Sequence, residues 1–365
     1  MCLFGACQLF HFFAPAAQNS LLELGATYGL EQVGQSFSNI YGSGNIQFSM
    51  NVDANGKPSI VFQKIGYTIE LYQFIDSTQS WVLKSSNLAA NALNYPVLKF
   101  NGTIPYAAAY ISGNPTVFYI FNAPLAQTVG TIVASYPNNV DFAVTPSGNL
   151  YGVYYITGGY PYNACVVNTN ATGANFAFSN AIDMISLQST SDETMFLMVN
   201  NSDGSRFMKL SGTNLLTAYS YDNNMFGSSF AIDGANNIYS IYRNSSSVSN
   251  FYFDITTVSS PQITSFSMKT FIDGGFVPNH NQSCAATKSA PYYFYTFAAA
   301  VVSGVTNVSV MRLTPDGTIA TVRTELSASS SLGNYKMACA PDGTLYVAVG
   351  KSFGSTNTIT VWKLY

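Results

Sequence analysis

The chain has 365 residues, 47% of them hydrophobic and 15% aromatic, yet only 8% charged, against roughly 25% in an average soluble protein. Fourteen Lys plus Arg against 17 Asp plus Glu give a net charge of -3, too few and too scattered cations to follow a run of phosphates, so nucleic acid is not an expected partner. Aromatic residues interleaved with Val and Ile supply the burial that disordered chains lack, and the uncharged polar remainder of Asn, Ser, Thr, Gly and Tyr makes a hydrogen-bonding surface.

In chain order, the first element is "MCLFGACQLFHFFAPAAQ", residues 1–18. Its apolar core and small-residue "APAA" end fit a signal peptide, but no positive stretch precedes them. The other expectation is a retained assembly arm that projects Cys2, Leu3, Phe4, Cys7, Leu9, Phe10, Phe12 and Phe13. Exposed apolar surface of that size calls for a partner: its own domain, or a second subunit reached by strand addition. A head-to-tail contact of this kind closes into a ring or grows into a filament, and Cys2 and Cys7 are placed to lock it.

From residue 19 to 365 one unit recurs. "FAVTPSGNLYGVYY" (Phe142 to Tyr155), "FAIDGANNIYSIYR" (Phe230 to Arg243) and "CAPDGTLYVAVG" (Cys339 to Gly350) each join a short strand, a turn of Asp, Gly, Asn or Ser, and an aromatic strand. Weaker copies start near Asn51, Leu98, Leu187 and Cys284. Anchored on Val61, Tyr106, Tyr151, Phe196, Tyr239, Tyr293 and Tyr346, the steps are 45, 45, 45, 43, 54 and 53.

A third strand is expected from each of Thr68, Thr116, Asn163, Arg206, Asn250, Ser309 and Ile359, and a fourth is clearest from Asn214 and Thr318. Four strands at a period near 45 predict an all-β, seven-bladed β-propeller of four-stranded antiparallel blades. The last unit runs out after "ITVWKLY", and the stretch Leu21 to Gly34 is expected to complete it, joining the two ends of the chain in a single domain, residues 19–365. The units "TPSGNLY", "DGANNIY" and "PDGTLY" resemble those of NHL-type and related seven-bladed propellers. The resemblance is one of repeat pattern and implies no functional residue.

Chemistry-bearing residues are sparse. Asp53, Asp233 and Asp342 fall at repeated turns, where Asp serves turn geometry more readily than a calcium site of the lactonase-like kind. Of the two histidines, His11 and His280, the one expected to serve a nucleophile is His280, near Ser283 and Cys284, and no elbow or third metal ligand surrounds it. "GKS" at Gly350 to Ser352 lacks the glycine and helix of a phosphate loop. Tyr292 to Val302 is too short to span a bilayer and is expected as a buried strand.

Five cysteines contain no CxxC pair; Cys284 and Cys339 are disulfide candidates, with two separately buried thiols as the alternative. Glycosylation candidates are Asn101, Asn170, Asn200, Asn244, Asn281 and Asn307, of which Asn200, Asn244 and Asn307 are expected in the turn before a third strand.

The sequence therefore predicts a secreted or surface-displayed, non-enzymatic structural subunit that assembles with itself, free of cofactors and metals. A carbohydrate-binding or adhesive propeller is the alternative, and a lyase or lactonase the remoter one.

Overall fold

The computed structural model describes residues 30–41, 46–65, 68–88, 93–111, 116–122, 127–134, 137–156, 162–168, 173–179, 182–201, 204–220, 225–244, 251–257, 260–267, 284–302, 305–316, 318–323, 335–353 and 356–364. Residues 1–18, with every residue of the expected arm, lie outside them, as do His280, Ser283, Asn170 and Asn281.

The all-β class expected from the sequence is what the described residues have, a single turn of 3-10 helix at Asp76–Thr78 apart. After β1 (Leu30–Gln32), the first sheet holds β2 (Phe48–Val52), β3 (Pro58–Gln63), β4 (Thr68–Ile75) and β5 (Ser80–Leu88). The second holds β6 (Leu93–Asn101), β7 (Ile104–Ile111), β8 (Thr116–Asn122) and β9 (Gln127–Ala134). The third holds β10 (Pro137–Val144), β11 (Leu150–Ile156), β12 (Tyr162–Asn168) and β13 (Gly173–Phe178). The fourth holds β14 (Ile182–Ser189), β15 (Thr194–Asn201), β16 (Gly204–Ser211) and β17 (Asn214–Ser220).

The fifth holds β18 (Met225–Ile232), β19 (Asn237–Asn244), β20 (Phe251–Thr257) and β21 (Ser260–Ser267), and the sixth β22 (Cys284–Ala286), β23 (Phe294–Val302), β24 (Val305–Leu313) and β25 (Ile319–Arg323). The seventh consists of β26 (Tyr335–Cys339), β27 (Leu345–Phe353), β28 (Thr356–Leu364) and, on its outer side, β1. β1 is antiparallel to β28, with Leu30 opposite Leu364 and Gln32 opposite Trp362. The first strand of each sheet touches those of the sheets before and after it, and β26 touches β2.

Burial explains why the second strands read as unbroken apolar runs. Met195 to Val199 on β15 are all buried. Because side chains alternate across a strand, Met195, Leu197 and Val199 pack toward the third sheet while Phe196 and Met198 pack toward the fifth. Similarly, Leu345, Val347 and Val349 on β27 face the sixth sheet, and Tyr346 and Ala348 face the first. Both faces of an inner strand are thus covered, as in parallel sheets sandwiched by helices. The outer strand β13 has only one covered neighbour in its own sheet and shows an alternating pattern, exposed and partly buried in turn, over Gly173 to Ala177.

The first-to-second-strand turns of five of the seven sheets share one geometry. Their fourth residue has a left-handed backbone in Gly56, Gly148, Glu193, Asn236 and Gly343, with φ of 79, 88, 68, 65 and 90°. Glycine and asparagine take that conformation readily. Glu193 is the exception, and its carboxylate is tied to the preceding sheet's turn, accepting from Ser147 N at 2.6 Å and Ser147 Oγ at 2.8 Å.

Such ties run from turn to turn. Ala54 N donates to Gly102 O (3.0 Å), Asn101 Nδ2 to Pro146 O (3.3 Å), Ser191 Oγ to Asn236 Oδ1 (3.2 Å), Gly234 N to Thr287 O (3.2 Å) and Ser289 Oγ to Pro341 O (2.7 Å). Gly234 is needed for one of these approaches, since a Cβ there would lie 1.8 Å from Lys288 O.

The segment after β1 joins the first and seventh sheets. Phe37 exchanges backbone hydrogen bonds with Ile359 of β28 (2.8 and 3.1 Å), while its ring sits 5.0 to 5.2 Å from those of Phe62, Tyr72 and Trp81 in the first sheet. Trp81 Nε1 donates to Val33 O at 2.8 Å, and Asn357 Nδ2 to Ile40 O at 3.0 Å.

Two sequence expectations need correction. Asn200 lies within β15, Asn244 is the last residue of β19 and Asn307 lies within β24, so none is a turn residue. The pairing continues to Asn201 opposite Gly204 and Val302 opposite Val305, and these two-residue hairpins absorb the positions assigned to the turn. Cys284 and Cys339 do not occupy equivalent places either: Cys284 stands three residues before the turn residue Thr287, whereas Cys339 immediately precedes the equivalent Ala340.

Candidate functional site

A first strand pairs on one side only, so its other edge presents backbone N–H and C=O groups that need partners. Side chains of neighbouring sheets supply them. Ser49 Oγ accepts from Leu98 N (2.9 Å), and Asp141 Oδ2 accepts from Leu187 N (2.8 Å) and Ser186 Oγ (3.2 Å). Asn51 Nδ2 donates to Leu98 O (3.2 Å), Gln188 Nε2 to Phe230 O (2.6 Å) and Ser189 Oγ to Val144 O (2.6 Å). Ser49, Asp141 and Ser186 each stand four residues before their turns, so the repeat brings one polar position to one level of the inner surface.

Inside this surface lies a cavity of ≈ 260 Å³, lined by residues of β2, β6, β10, β14, β18 and β26 and by Cys284, Ala286 and Lys288 of the sixth unit. Its charges are unusual for so charge-poor a chain. Lys99 Nζ lies 3.4 Å from Asp141 Oδ1 and donates to Leu187 O at 3.2 Å. Lys288 Nζ donates to Ile232 O. Lys336 stands beside the lining residue Met337, four residues before its turn and so level with Asp141.

Lys288 is an exposed residue that also lines the cavity. Desolvation holds the Lys288 ammonium below its ordinary value, with Asp233 and Cys339 opposing the shift and Lys99 adding to it. Desolvation likewise brings Lys336 down to about 8, Asp141 working against the shift and Lys99 with it.

Cys284 and Cys339 both line the cavity, and both are free thiols, so the candidate disulfide is unbridged and the alternative of two separate thiols holds. Their two-residue offset along neighbouring strands, at about 3.3 Å per residue, separates the thiols beyond what equivalent positions would give. Burial pushes Cys339 up to about 12, Lys288 lowering and Asp342 raising it, which leaves a thiol rather than a thiolate at neutral pH.

The turn aspartates do structural work. Asp53 Oδ1 accepts from Asn55 N and Lys57 N (2.9 Å each), Asp233 Oδ1 from Ala235 N and Asn237 N (2.8 Å each), and Asp342 Oδ1 from Thr344 N (2.9 Å). Asp233 Oδ2 also accepts from Asn237 Nδ2 (2.8 Å) and the Tyr239 hydroxyl (2.7 Å). Among the described residues no group of three or more His, Cys, Asp or Glu is arranged to hold a metal ion, and no helix is long and apolar enough to cross a membrane. The "GKS" lysine, Lys351, is a strand residue of β27 opposite Thr358.

Sequence reasoning missed the lysine cavity. The signal was present: once the units are aligned on their turns, Asp141 and Lys336 occupy one repeat position, and Lys99 lies two residues further along.

With the sheets and the cavity described, comparison with known proteins is informative about fold. No protein-family model matches the chain, and no curated protein matches it in sequence. Solved structures do match. BBS1N, from its complex with ARL6DN, has a TM-score of 0.53 at 11% identity, over 92% of this chain and 96% of that one. The Myceliophteria thermophila Cps50 (Swd1) β-propeller domain gives 0.54 at 9% identity, over 88% and 99%. The C-terminal WD40 domain of Sif2 gives 0.51 at 9%, over 92% and 99%. The likeness is one of fold. The chain has a β-propeller repeat fold, with WD40 domains among its structural neighbours.

The cavity makes a stability prediction. A lysine whose folded pKa lies below its unfolded one carries a cost that is complete below the folded value and is relieved as pH rises from there to the unfolded value. For Lys336 that window runs from about 8 to the ordinary 10.5. Lys336→Met is expected to stabilise the protein by about 1–3 kcal/mol at pH 7, and the advantage over the unsubstituted chain should shrink as pH rises from 8 to 10. Urea midpoints of the two proteins measured in parallel at pH 7, 8.5 and 10 check this; an advantage that does not change with pH excludes the desolvation account.

Proposed function

We propose that the chain is a seven-bladed β-propeller, closed by its N-terminal strand, that works as a non-enzymatic structural subunit and joins copies of itself through the apolar arm of residues 1–18. The closed ring is supported by the cyclic contact of the first strands and by the pairing of β1 with β28. The NHL-type affinity rests on the repeated turn units alone.

One contrast carries the functional reading. Acidic groups are spent on turns and between sheets, as at Asp53, Asp141, Asp233 and Glu193, whereas outermost strands keep apolar side chains in solvent. On β5 these are Val82 and Leu83, 39% and 46% exposed, and on β17 Leu215 and Leu216, 47% and 55% exposed. An outer strand has an open edge, and an apolar segment such as "CLFGACQLFHFF" from a second copy has the composition to add to it. The arm has a matching point of departure, because β1 is the outermost strand of the seventh sheet. A charge-poor surface places little repulsion between copies, and it underlies the extracellular or surface setting proposed with this reading.

Light scattering on the full chain and on a chain lacking residues 1–18 tests the proposal, with circular dichroism to show that both are folded. The expected result is an oligomer or filament that falls to the monomer mass on deletion. A monomer in both cases, or the same assembly in both, overturns it.

A further inference from the structure

The open edge of an outer strand invites another strand, and β proteins blunt such edges with bulges, charges, proline or shortness. The outer strands here carry those devices with one exception. In the pairs β4 with β5, β8 with β9, β16 with β17, β20 with β21 and β24 with β25 the register shifts on the outer strand. Lys84, Val129, Leu216, Pro261 with Gln262, and Val322 are the residues left over in those ladders. Each bulge bends and twists its strand, so a straight incoming strand loses register against it. β1 of the seventh sheet is only three residues long and contains Glu31.

β13 has none of these protections. Its six residues, Gly173–Phe178, pair with β12 without a shift, from Gly173 opposite Val167 to Phe178 opposite Tyr162, and include no charge and no proline. Gly173 lets the ladder begin close, since a Cβ there would lie 2.4 Å from Val167 Cγ1 and 2.6 Å from Val166 O. Among the described residues no strand lies beyond β13. The apolar side chains exposed on β5 and β17, by contrast, stand at bulges: Leu83 is next to Lys84, and Leu216 is itself the extra residue.

We propose that the outer edge of β13 is the acceptor for residues 1–18 of a second copy, which add to the third sheet as a further strand; the proposal rests on the assembly reading above and names its receiving surface. Strand addition draws its affinity from backbone hydrogen bonds, and six regular residues offer the length of an ordinary strand, about five or six. Residues 1–18 contain no Lys, Arg, Asp or Glu, so arm and edge meet without burying a charge. Reach favours a second copy over the chain's own arm. Residues 19–29 separate the arm from β1 and span about 40 Å at most. The third sheet lies across the proposed ring from the seventh, and with strands about 4.8 Å apart in each sheet the path around the rim is roughly 50 Å. Donor and acceptor therefore stand on different, nearly opposite sheets, which makes the contact heterologous and extends successive copies in one direction.

Light scattering on the full chain, on a full-length Asn175→Lys, Ala177→Lys double variant and on Leu216→Lys tests the proposal, with circular dichroism to verify folding. Asn175 and Ala177 are exposed, so lysines there charge the edge without entering the core. The expected result is assembly of the parent and of Leu216→Lys, and monomers of the double variant. A labelled peptide of residues 1–18, titrated into the same full-length proteins, is expected to bind the double variant about tenfold or more weakly than the parent. Assembly lost on deletion of the arm but kept in the double variant overturns the β13 edge and leaves the assembly reading standing. Equal loss in Leu216→Lys, or equal peptide affinity for the parent and the double variant, also overturns it. Peptide binding that is weakened only by the β13 substitutions upholds the edge even beside a monomeric parent, in which case the assembly reading alone falls.

Discussion

Asp141→Ala is expected to destabilise the protein by about 3–5 kcal/mol, because it leaves a lysine in the protein interior without its counter-charge. Asp141 is 1% exposed and serves two sheets besides its own: it pairs with Lys99 of the second sheet and accepts from Leu187 N and Ser186 Oγ of the fourth. Loss of the carboxylate also strips Leu187 N of its acceptor on an edge that has no strand to replace it. Asp141→Asn keeps an acceptor for Leu187 N and should cost less, about 2–3 kcal/mol. Urea unfolding of both variants is the measurement. A loss below 1 kcal/mol for the alanine variant contradicts the central place given to this carboxylate.

Phe37→Ala is expected to cost about 3 kcal/mol, the range for removing a large aromatic side chain that packs against several others. Its backbone belongs with β28 in the seventh sheet while its ring inserts among Phe62, Tyr72 and Trp81 of the first, so one residue spans the junction between the two ends of the chain. Phe37→Leu, which keeps much of the volume, should cost about 1 kcal/mol. If amide exchange at Phe37, Ile359 and β1 accelerates in the alanine variant while β15 is unchanged, the loss is local to the junction. Uniform acceleration over all sheets would count against that placement.

Much of the architecture was legible because a propeller repeats its local rules. The turn residues gave the hairpins, and all seven expected third strands coincide with β4, β8, β12, β16, β20, β24 and β28, their starts agreeing to within four residues. Tyr346, the anchor of the last unit, packs between sheets, in the core shared with the first sheet. Boundaries were less legible. Asn200 and Asn307 were assigned to turns because polar Asn-rich stretches resemble loops, whereas the ladder continues through them. The cavity was less legible still, since its lysines Lys99 and Lys288 lie far apart in the chain and only the contacts between first strands of neighbouring sheets bring them to one lining. No local pattern marks such a site; alignment on the turns does.

The ties between successive turns form an open chain of polar links, from Ala54 in the first sheet through Pro341 in the seventh. At the remaining junction Gly56 faces Ala340, whose Cβ can offer only van der Waals contact. Among the described residues, turn-to-turn hydrogen bonds thus fasten six junctions of the proposed ring, and the seventh is held instead by the segment after β1, through Trp81 Nε1 to Val33 O, Tyr41 N to Gln63 O and Asn357 Nδ2 to Ile40 O, and by the packing around Phe37. Such a molecule has a built-in seam. Opening there would break the bonds of that one segment and leave the turn-to-turn links of the other six junctions in place.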